Sequence, residues 1–370
     1  MDWRELKNNP AKWEKLFTRE KIVRAIRDFF YRRNFREVET PILVPTVIPE
    51  SYLDIFKTQA IDRQGKKKEM FLAPSPEASL KKLLVAGLGD CFEITKSFRN
   101  REAGSPLHNP EFAMLEWYRL GADCRGLMDD CEKLFRHLHQ AVRAKQPNRP
   151  DNPPPRTPQT RGKRGKLEII YQKRKIDLSR PWERISVPEA LARYAGLDLD
   201  EISSRRGDLF PWEKMAAAAR KKGYAVGQKD TWEQIFNQIF LNEIEPRLGT
   251  NGRPAVIYDY PRPLAALAKI KESDARLAER MEVYAGGLEL ADGYAELTDY
   301  REQKKRFQKE TREIKRLKRT PVKIDADFLA ALKSGLPPCA GIALGLDRLA
   351  MLFTDSQSIS EVKFFTVDQE

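Results

Sequence analysis

Ser97-Phe98-Arg99-Asn100-Arg101-Glu102 and, after a short polar loop with Gly104 and Pro106, His108-Asn109-Pro110-Glu111-Phe112-Ala113-Met114-Leu115-Glu116-Trp117-Tyr118 decide the reading of this chain. The first segment reads as a strand carrying an arginine, the second as a returning strand that alternates charged, aromatic and apolar residues. The planar fork of Arg99 can hold a carboxylate or a phosphate, while Phe112 on the facing strand offers a ring to a purine. The loop between them can reach the base and the outer phosphates. This is a nucleotide site drawn on a hairpin, with an ordinary surface hairpin as the alternative.

Outward from it, Gly341-Ile342-Ala343-Leu344-Gly345-Leu346-Asp347-Arg348-Leu349-Ala350-Met351-Leu352 reads as an apolar strand running into an amphipathic helix. Glycines in a strand permit close approach of a backbone or a ligand, and Arg348, where strand becomes helix, calls for an anion. Towards the N-terminus, apolar spacing at Leu16, Ile22, Ile26, Phe29 and Phe30 predicts a helix leading into Arg33–Leu43. Pro41 cannot donate to a ladder, so that strand is expected at a sheet edge or a subunit boundary. Within Glu282-Val283-Tyr284-Ala285-Gly286-Gly287-Leu288-Glu289-Leu290, a Gly286-Gly287 turn sets Tyr284 opposite Glu289. Glu282 then shares that face, and two carboxylates near a nucleotide call for a cation, naturally magnesium.

Taken in order, these stretches resemble motifs 1, 2 and 3 of the class II aminoacyl-tRNA synthetases. With Ser75-Pro76-Glu77 and Glu282 through Thr298 they resemble the lysine branch, and within it the family of elongation factor P lysine ligases, over nearly the whole chain. The resemblance implies an α/β (α+β) class II synthetase catalytic fold, an antiparallel sheet flanked by helices, without an N-terminal anticodon-binding OB domain. It implies one catalytic domain over 1–370, dimerising through motif 1, with an exposed Pro-rich basic insertion at 145–166 and a helical insertion at 185–250. Helices are expected there at Val187–Tyr194, Pro211–Lys222 and Thr231–Ile244.

The same resemblance implies the chemistry: ATP-dependent formation of an acyl-adenylate from a lysine-like acid, with ATP and Mg2+ as cofactors. Arg99 and Arg348 are the catalytic pair, Arg99 between substrate carboxylate and α-phosphate, Arg348 on the outer phosphates, so removing Arg99 abolishes adenylation. Phe112 stacks under adenine with His108 and Asn109 beside it, Asn100, Glu102, Leu290 and Gly345 complete the ATP site, and Glu282 and Glu289 carry magnesium. Ser75, Glu77, Glu116, Tyr118 and Glu296 are directed at the substrate amines, since a buried ammonium must be paired. Ala343 stands where lysyl-tRNA synthetases have glycine, and its methyl group favours (R)-β-lysine over α-lysine. The motif 2 loop is one residue longer than in the family, so Arg101 replaces the adenine-recognising glutamate and Glu102 is its substitute. Asp292 takes the place of a frequent asparagine. The second step passes the acyl group to a lysine of elongation factor P, an acidic partner suited to a basic enzyme. A tRNA-charging enzyme using α-lysine is the alternative, with tRNA disfavoured by the absent anticodon domain.

Composition fits this reading. The 370 residues carry a net charge of +13, and the pI near 9.4 points to an acidic partner. Lys145–Lys166, with Pro153-Pro154-Pro155 and Arg161-Gly162-Lys163-Arg164-Gly165-Lys166, cannot build a core. Arg301–Lys323 is expected as a helix with a narrow apolar face at Phe307, Ile314 and Leu317 and a basic outer face. The charged N-terminus has no signal-peptide core and no run approaches a membrane span, so a cytoplasmic protein is expected. Cys91, Cys124, Cys131 and Cys339 show no metal-like pairing, and Cys131 with His137 and His139 reads as packing.

Overall fold

A computed structural model describes residues 3–144 and 166–366 of the chain. The expected insertion at 145–166 thus lies, but for its last residue, outside the described residues. After a short helix α1 (Trp3–Lys7), α2 (Pro10–Tyr31) starts where the Lys12 N–H donates to Asn9 Oδ1 at 3.0 Å and Pro10 needs no donor in the first turn. Its Leu16, Ile22, Ile26, Phe29 and Phe30 are buried, as the spacing predicts.

The chain continues through β1 (Arg36–Glu37), β2 (Leu43–Val44), β3 (Lys57–Ile61), β4 (Lys67–Leu72), α3 (Glu77–Val85), β5 (Cys91–Phe98), β6 (Glu111–Leu120), α4 (Cys124–Arg143), β7 (Glu168–Tyr171), β8 (Arg174–Asp177) and β9 (Glu183–Ser186). There follow α5 (Val187–Ala190), α6 (Leu199–Ile202), α7 (Trp212–Lys221), α8 (Trp232–Ile239), β10 (Ala255–Pro261), β11 (Leu277–Ala285), β12 (Leu288–Ala295), α9 (Tyr300–Arg316), α10 (Ala326–Gly335), β13 (Cys339–Gly345) and α11 (Leu346–Thr354). π-Helical turns extend α5 over Leu191–Ala195 and α8 over Phe240–Ile244.

The main sheet has the order β1-β5-β6-β13-β12-β11-β10-β9. Its centre is antiparallel, as expected, but β1 pairs with β5, and β9 with β10, in parallel. Parallel neighbours need a crossover: the small sheet β2-β4-β3 with α3 supplies the first, helices α5 to α8 the second. Alternation along β6 sends Ala113, Leu115 and Trp117 into the core with α2, α4 and α11, and leaves Met114, Glu116 and Tyr118 for the opposite face. A second core joins α3, α9 and α10 around Leu80, Leu84, Phe307 and Phe328. A third holds the α5 to α8 segment against β10 and β11.

Several boundaries differ from the sequence reading. The hairpin strands are Cys91–Phe98 and Glu111–Leu120, so Arg99 stands just beyond its strand and His108 to Pro110 belong to the loop. Pro41 lies in the link between β1 and β2, which is pinned because Thr40 N–H and Oγ1 both donate to Glu93, at 2.9 Å each. The edge-strand expectation therefore holds for β1 and fails for Pro41 itself. The basic helix stops at Arg316, two residues before Lys318 takes a positive φ of 54°, so Leu317–Lys323 is not helical.

Candidate active site

A cavity of about 700 Å³ opens on the face of the sheet away from α2 and α4. Strand register explains its floor. Glu116 of β6 lies opposite Ala343 of β13, Ala343 opposite Asp292 of β12, and Asp292 opposite Glu282 of β11. The next row runs Tyr118, Gly341, Tyr294, Arg280 across the same strands. Gly341 is required there: a Cβ would stand 2.3 Å from Tyr118 Cε1 and 2.7 Å from Glu296 Oε1.

The Gly286-Gly287 turn forms with φ of 65° and 86°, and Tyr284 lies opposite Glu289. One residue on, the register shifts and Val283 faces Ala291. Leu290 is thus extra, and its side chain joins Ala291 in the core. Strict alternation from Glu289 would send Asp292 and Tyr294 to the back of the sheet; the bulge brings both to the cavity.

Arg280, not singled out from the sequence, organises this end. Its Nε donates to Asp292 Oδ1 at 3.0 Å, and its Nη2 to Asp292 Oδ2 at 3.1 Å and Glu282 Oε1 at 2.8 Å. Nη1 donates to the Leu264 carbonyl at 2.5 Å, and the guanidinium lies 4.6 Å from the Tyr260 ring centre. An asparagine here could match only one arm of that fork, so Asp292 completes a bidentate ion pair. Tyr284 Oη donates to Glu282 Oε2 at 2.8 Å. Burial still pushes the Glu282 carboxyl up to about 7, with Arg280 opposing and the charges of Glu289 and Asp292 adding to the rise.

At the other end, Lys81 of α3 is buried between Glu77 and Glu296 and ion-pairs with both. The sequence reading held these two carboxylates free for a substrate; each already has one oxygen engaged. Tyr294 Oη donates to Glu77 Oε1 at 2.8 Å and Tyr118 Oη to Glu116 Oε1 at 2.7 Å. Glu116 Oε2 and Glu296 Oε1 are buried without a partner. Burial raises the Glu116 carboxyl, helped by the charge of Glu77, and pushes Glu296 up to about 8 against the pull of Lys81. Glu50, at the rim, rises to about 7 through burial and the charge of Glu77. Carboxyl groups thus dominate this end of the cavity.

Arg99 also lines the cavity, its Nε buried without a partner and its guanidinium 5.2 Å from the Phe112 ring centre. Arg348 donates through Nη1 to the Glu289 carbonyl at 3.0 Å and to its Oε2 at 3.2 Å, while its Nη2 lies 2.9 Å from His108 Nε2. Desolvation, with Arg348 next, keeps the His108 imidazole below its usual pKa.

Of the predicted site residues, Ser75, Glu77, Arg99, Glu116, Tyr118, Glu282, Glu289 and Ala343 line the cavity. Glu296 lies beneath it beside Gly341, and Arg348 and His108 border it through Glu289. Others sit outside. Phe112 is engaged by Arg99, and Asn109 Nδ2 donates to the Glu111 carbonyl at 2.5 Å, closing its own loop. Asn100 Oδ1 accepts from Arg101 N–H at 2.9 Å, Glu102 is half-buried in the loop, Gly345 ends β13 and caps α11, and Leu290 can offer a ligand only its backbone. Arg280 and Lys81 were missed; the signal for Lys81 was its place one helical turn after Glu77.

A profile of the family described as tRNA synthetases class II (D, K and N) matches residues 2–369. The chain belongs to this class II synthetase family. Curated relatives carry the name elongation factor P (R)-beta-lysine ligase. That of Mannheimia succiniciproducens is 37% identical over 95% of both chains. That of Pectobacterium carotovorum is 35% identical over 96% of this chain and 95% of its own, and that of Pseudoalteromonas translucida 37% identical over 94% and 93%. Membership of the class II synthetases implies use of ATP. Among the described residues, no group of three or more His, Cys, Asp or Glu side chains is placed to hold a metal, the four cysteines are buried and free, and no helix is long and apolar enough to cross a membrane.

Proposed function

We propose that the protein is an ATP-dependent ligase that activates a lysine-like diamino acid, (R)-β-lysine, and passes it to a lysine side chain of elongation factor P. The observation that carries this is one cavity lined by Arg99 and Glu116, with Glu296 beneath it, where Arg99 Nε, Glu116 Oε2 and Glu296 Oε1 are buried without partners, a cationic group for a carboxylate and anionic groups for amines. The names of the relatives supply the acceptor.

In the first step a carboxylate oxygen attacks the α-phosphorus, the bond to the β-phosphate breaks and pyrophosphate leaves. No base is needed because the nucleophile is already an anion. Arg99 draws the two anions together and offsets the charge that grows between them, while the chamber orients the substrate by its ammonium groups. Arg348, held by Glu289 and His108, is aimed at the outer phosphates. Glu282 and Glu289 would hold magnesium as hard oxygen donors, the charge of Glu289 adding to the burial that raises the Glu282 carboxyl. The ion would neutralise phosphate charge there. In the second step the neutral amine of the acceptor lysine attacks the acyl carbon, AMP leaves and an amide forms with loss of a proton. The basic chain suits the acidic acceptor, and a cytoplasmic homodimer paired through the β1 edge belongs to the same reading, with tRNA not the acceptor.

ATP–pyrophosphate exchange with (R)-β-lysine, α-lysine and no amino acid, followed by mass analysis of elongation factor P from the same mixture, tests it. Exchange with β-lysine and a matching mass gain are expected. Exchange only with α-lysine and no mass gain would point to tRNA or another acceptor.

A further inference from the structure

A buried cation lies beneath the Glu77–Glu116 end of the cavity. Lys81 is 2% exposed and lies 5.3 Å from the Tyr294 ring centre, its Nζ shared between Glu77 Oε1 and Glu296 Oε2. With all three ionised, the carboxylates Glu77, Glu116 and Glu296 less one ammonium leave two negative charges in a buried cluster, which the ligand-free protein offsets by holding protons. Two oxygens of that cluster, Glu116 Oε2 and Glu296 Oε1, have no partner. Buried charge has to be neutralised. A ligand with two ammonium groups balances the cluster, whereas one with a single ammonium leaves a carboxylate uncompensated and one with three leaves an excess cation.

We propose that Lys81 is the positioning residue that sets the charge count of the amino-acid site, occupying one carboxylate equivalent so that the chamber accepts a dication. The inference rests on reading the cavity as a diamino-acid site. Lys81 takes Glu77 Oε1 and Glu296 Oε2, so the substrate's ammonium groups are directed to Glu116 and the remaining oxygen of Glu77, which line the cavity, with Glu296 acting through its charge from beneath. The titratable groups facing it are Glu77 on its own helix, Glu296 after β12, Glu116 from β6, Tyr294 from β12 and Cys339 from β13, with Tyr118 beside Glu116 and Cys91 beside Cys339. The two thiols are pushed up by burial and stay neutral, so the carboxylates decide the balance.

Two variants test this. K81M removes the ammonium at nearly constant length and leaves three acids; K81M/E296Q returns the cluster to two. Calorimetric binding of (R)-β-lysine, α-lysine and norleucine, which lacks the distal amine, is followed from about pH 6 to 9, beside melting of the ligand-free proteins at the two ends of that range. In K81M the pH dependence of diamino-acid binding is expected to move up by about one unit, which is about tenfold in affinity at neutral pH. Its melting temperature should fall most at high pH, where the extra carboxylate cannot keep a proton. The double variant should recover most of both losses. A K81M profile that coincides with the wild type, or a double variant no better than the single one, overturns the proposal. If K81M does not fold at high pH, recovery of folding in the double variant supports a charge role, and failure of both assigns Lys81 to packing alone. Should the wild type bind no diamino acid, the substrate reading fails, while the melting comparison still decides the role of Lys81.

Discussion

At the residue scale, the site is set by atoms with few partners beside atoms with many. Arg99 is the former, and R99A should lower exchange by at least about 10²–10³-fold, the usual loss when a preorganised charge donor is removed, with folding intact by circular dichroism. Asp292 is the latter. D292N leaves Arg280 one arm short and should cost about 1–3 kcal/mol in chemical denaturation, the range for a lost hydrogen bond to a charged group. The Ala343 methyl group stands between Glu116 and Asp292 on neighbouring strands. A343G should therefore relax the preference for β- over α-lysine by about 1–3 kcal/mol in the ratio of kcat/KM values, the worth of one methyl group.

At the element scale, the β11–β12 hairpin shows how a turn aims a carboxylate. The two glycines were legible as a turn, and Tyr284 does face Glu289. The bulge at Leu290 was not legible, because an extra residue is betrayed only by the strand it must fit. Gly286 has a positive φ of 65°, and a Cβ there would stand 2.8 Å from Tyr171 Cδ1 of β7. G286A should thus destabilise by about 1–3 kcal/mol through backbone strain, and more through crowding, read as a lower denaturant midpoint, with a rise in KM for ATP as Glu289 shifts. The β5–β6 hairpin was read with strands too long, since Arg99 and His108 belong to the connecting loop and not to the ladder.

At the scale of the whole molecule, the raised carboxyls make stability and binding depend on pH in opposite senses. Glu296 has an ordinary value of 4.5 and is pushed to about 8 in the fold. The folded, ligand-free protein therefore holds more protons than the unfolded chain between those values, and its stability falls as pH rises through that window. A dicationic substrate favours the ionised carboxylates, so its affinity rises over the same range. The substrate-induced rise in melting temperature should accordingly be larger at about pH 8 than at about pH 6, and substrate uptake at about pH 7 should release protons, measurable by calorimetry in buffers of different ionisation enthalpy.

The sequence by itself determined the hairpin that carries Arg99, the strand-to-helix junction at Arg348 and the paired carboxylates of the Gly286-Gly287 turn, because each is a local pattern of residue types at fixed spacing, while the class II sheet and the acids Glu77, Glu116 and Glu296 followed from the resemblance those patterns carry. Only the tertiary structure decided which acids are free. Glu77 and Glu296 are far apart in sequence and meet over Lys81, while Arg280 and Asp292 come together through a bulge. Pairing of buried charge depends on strand register and on the approach of elements distant in the chain. Those are properties of the packed molecule and not of any one segment.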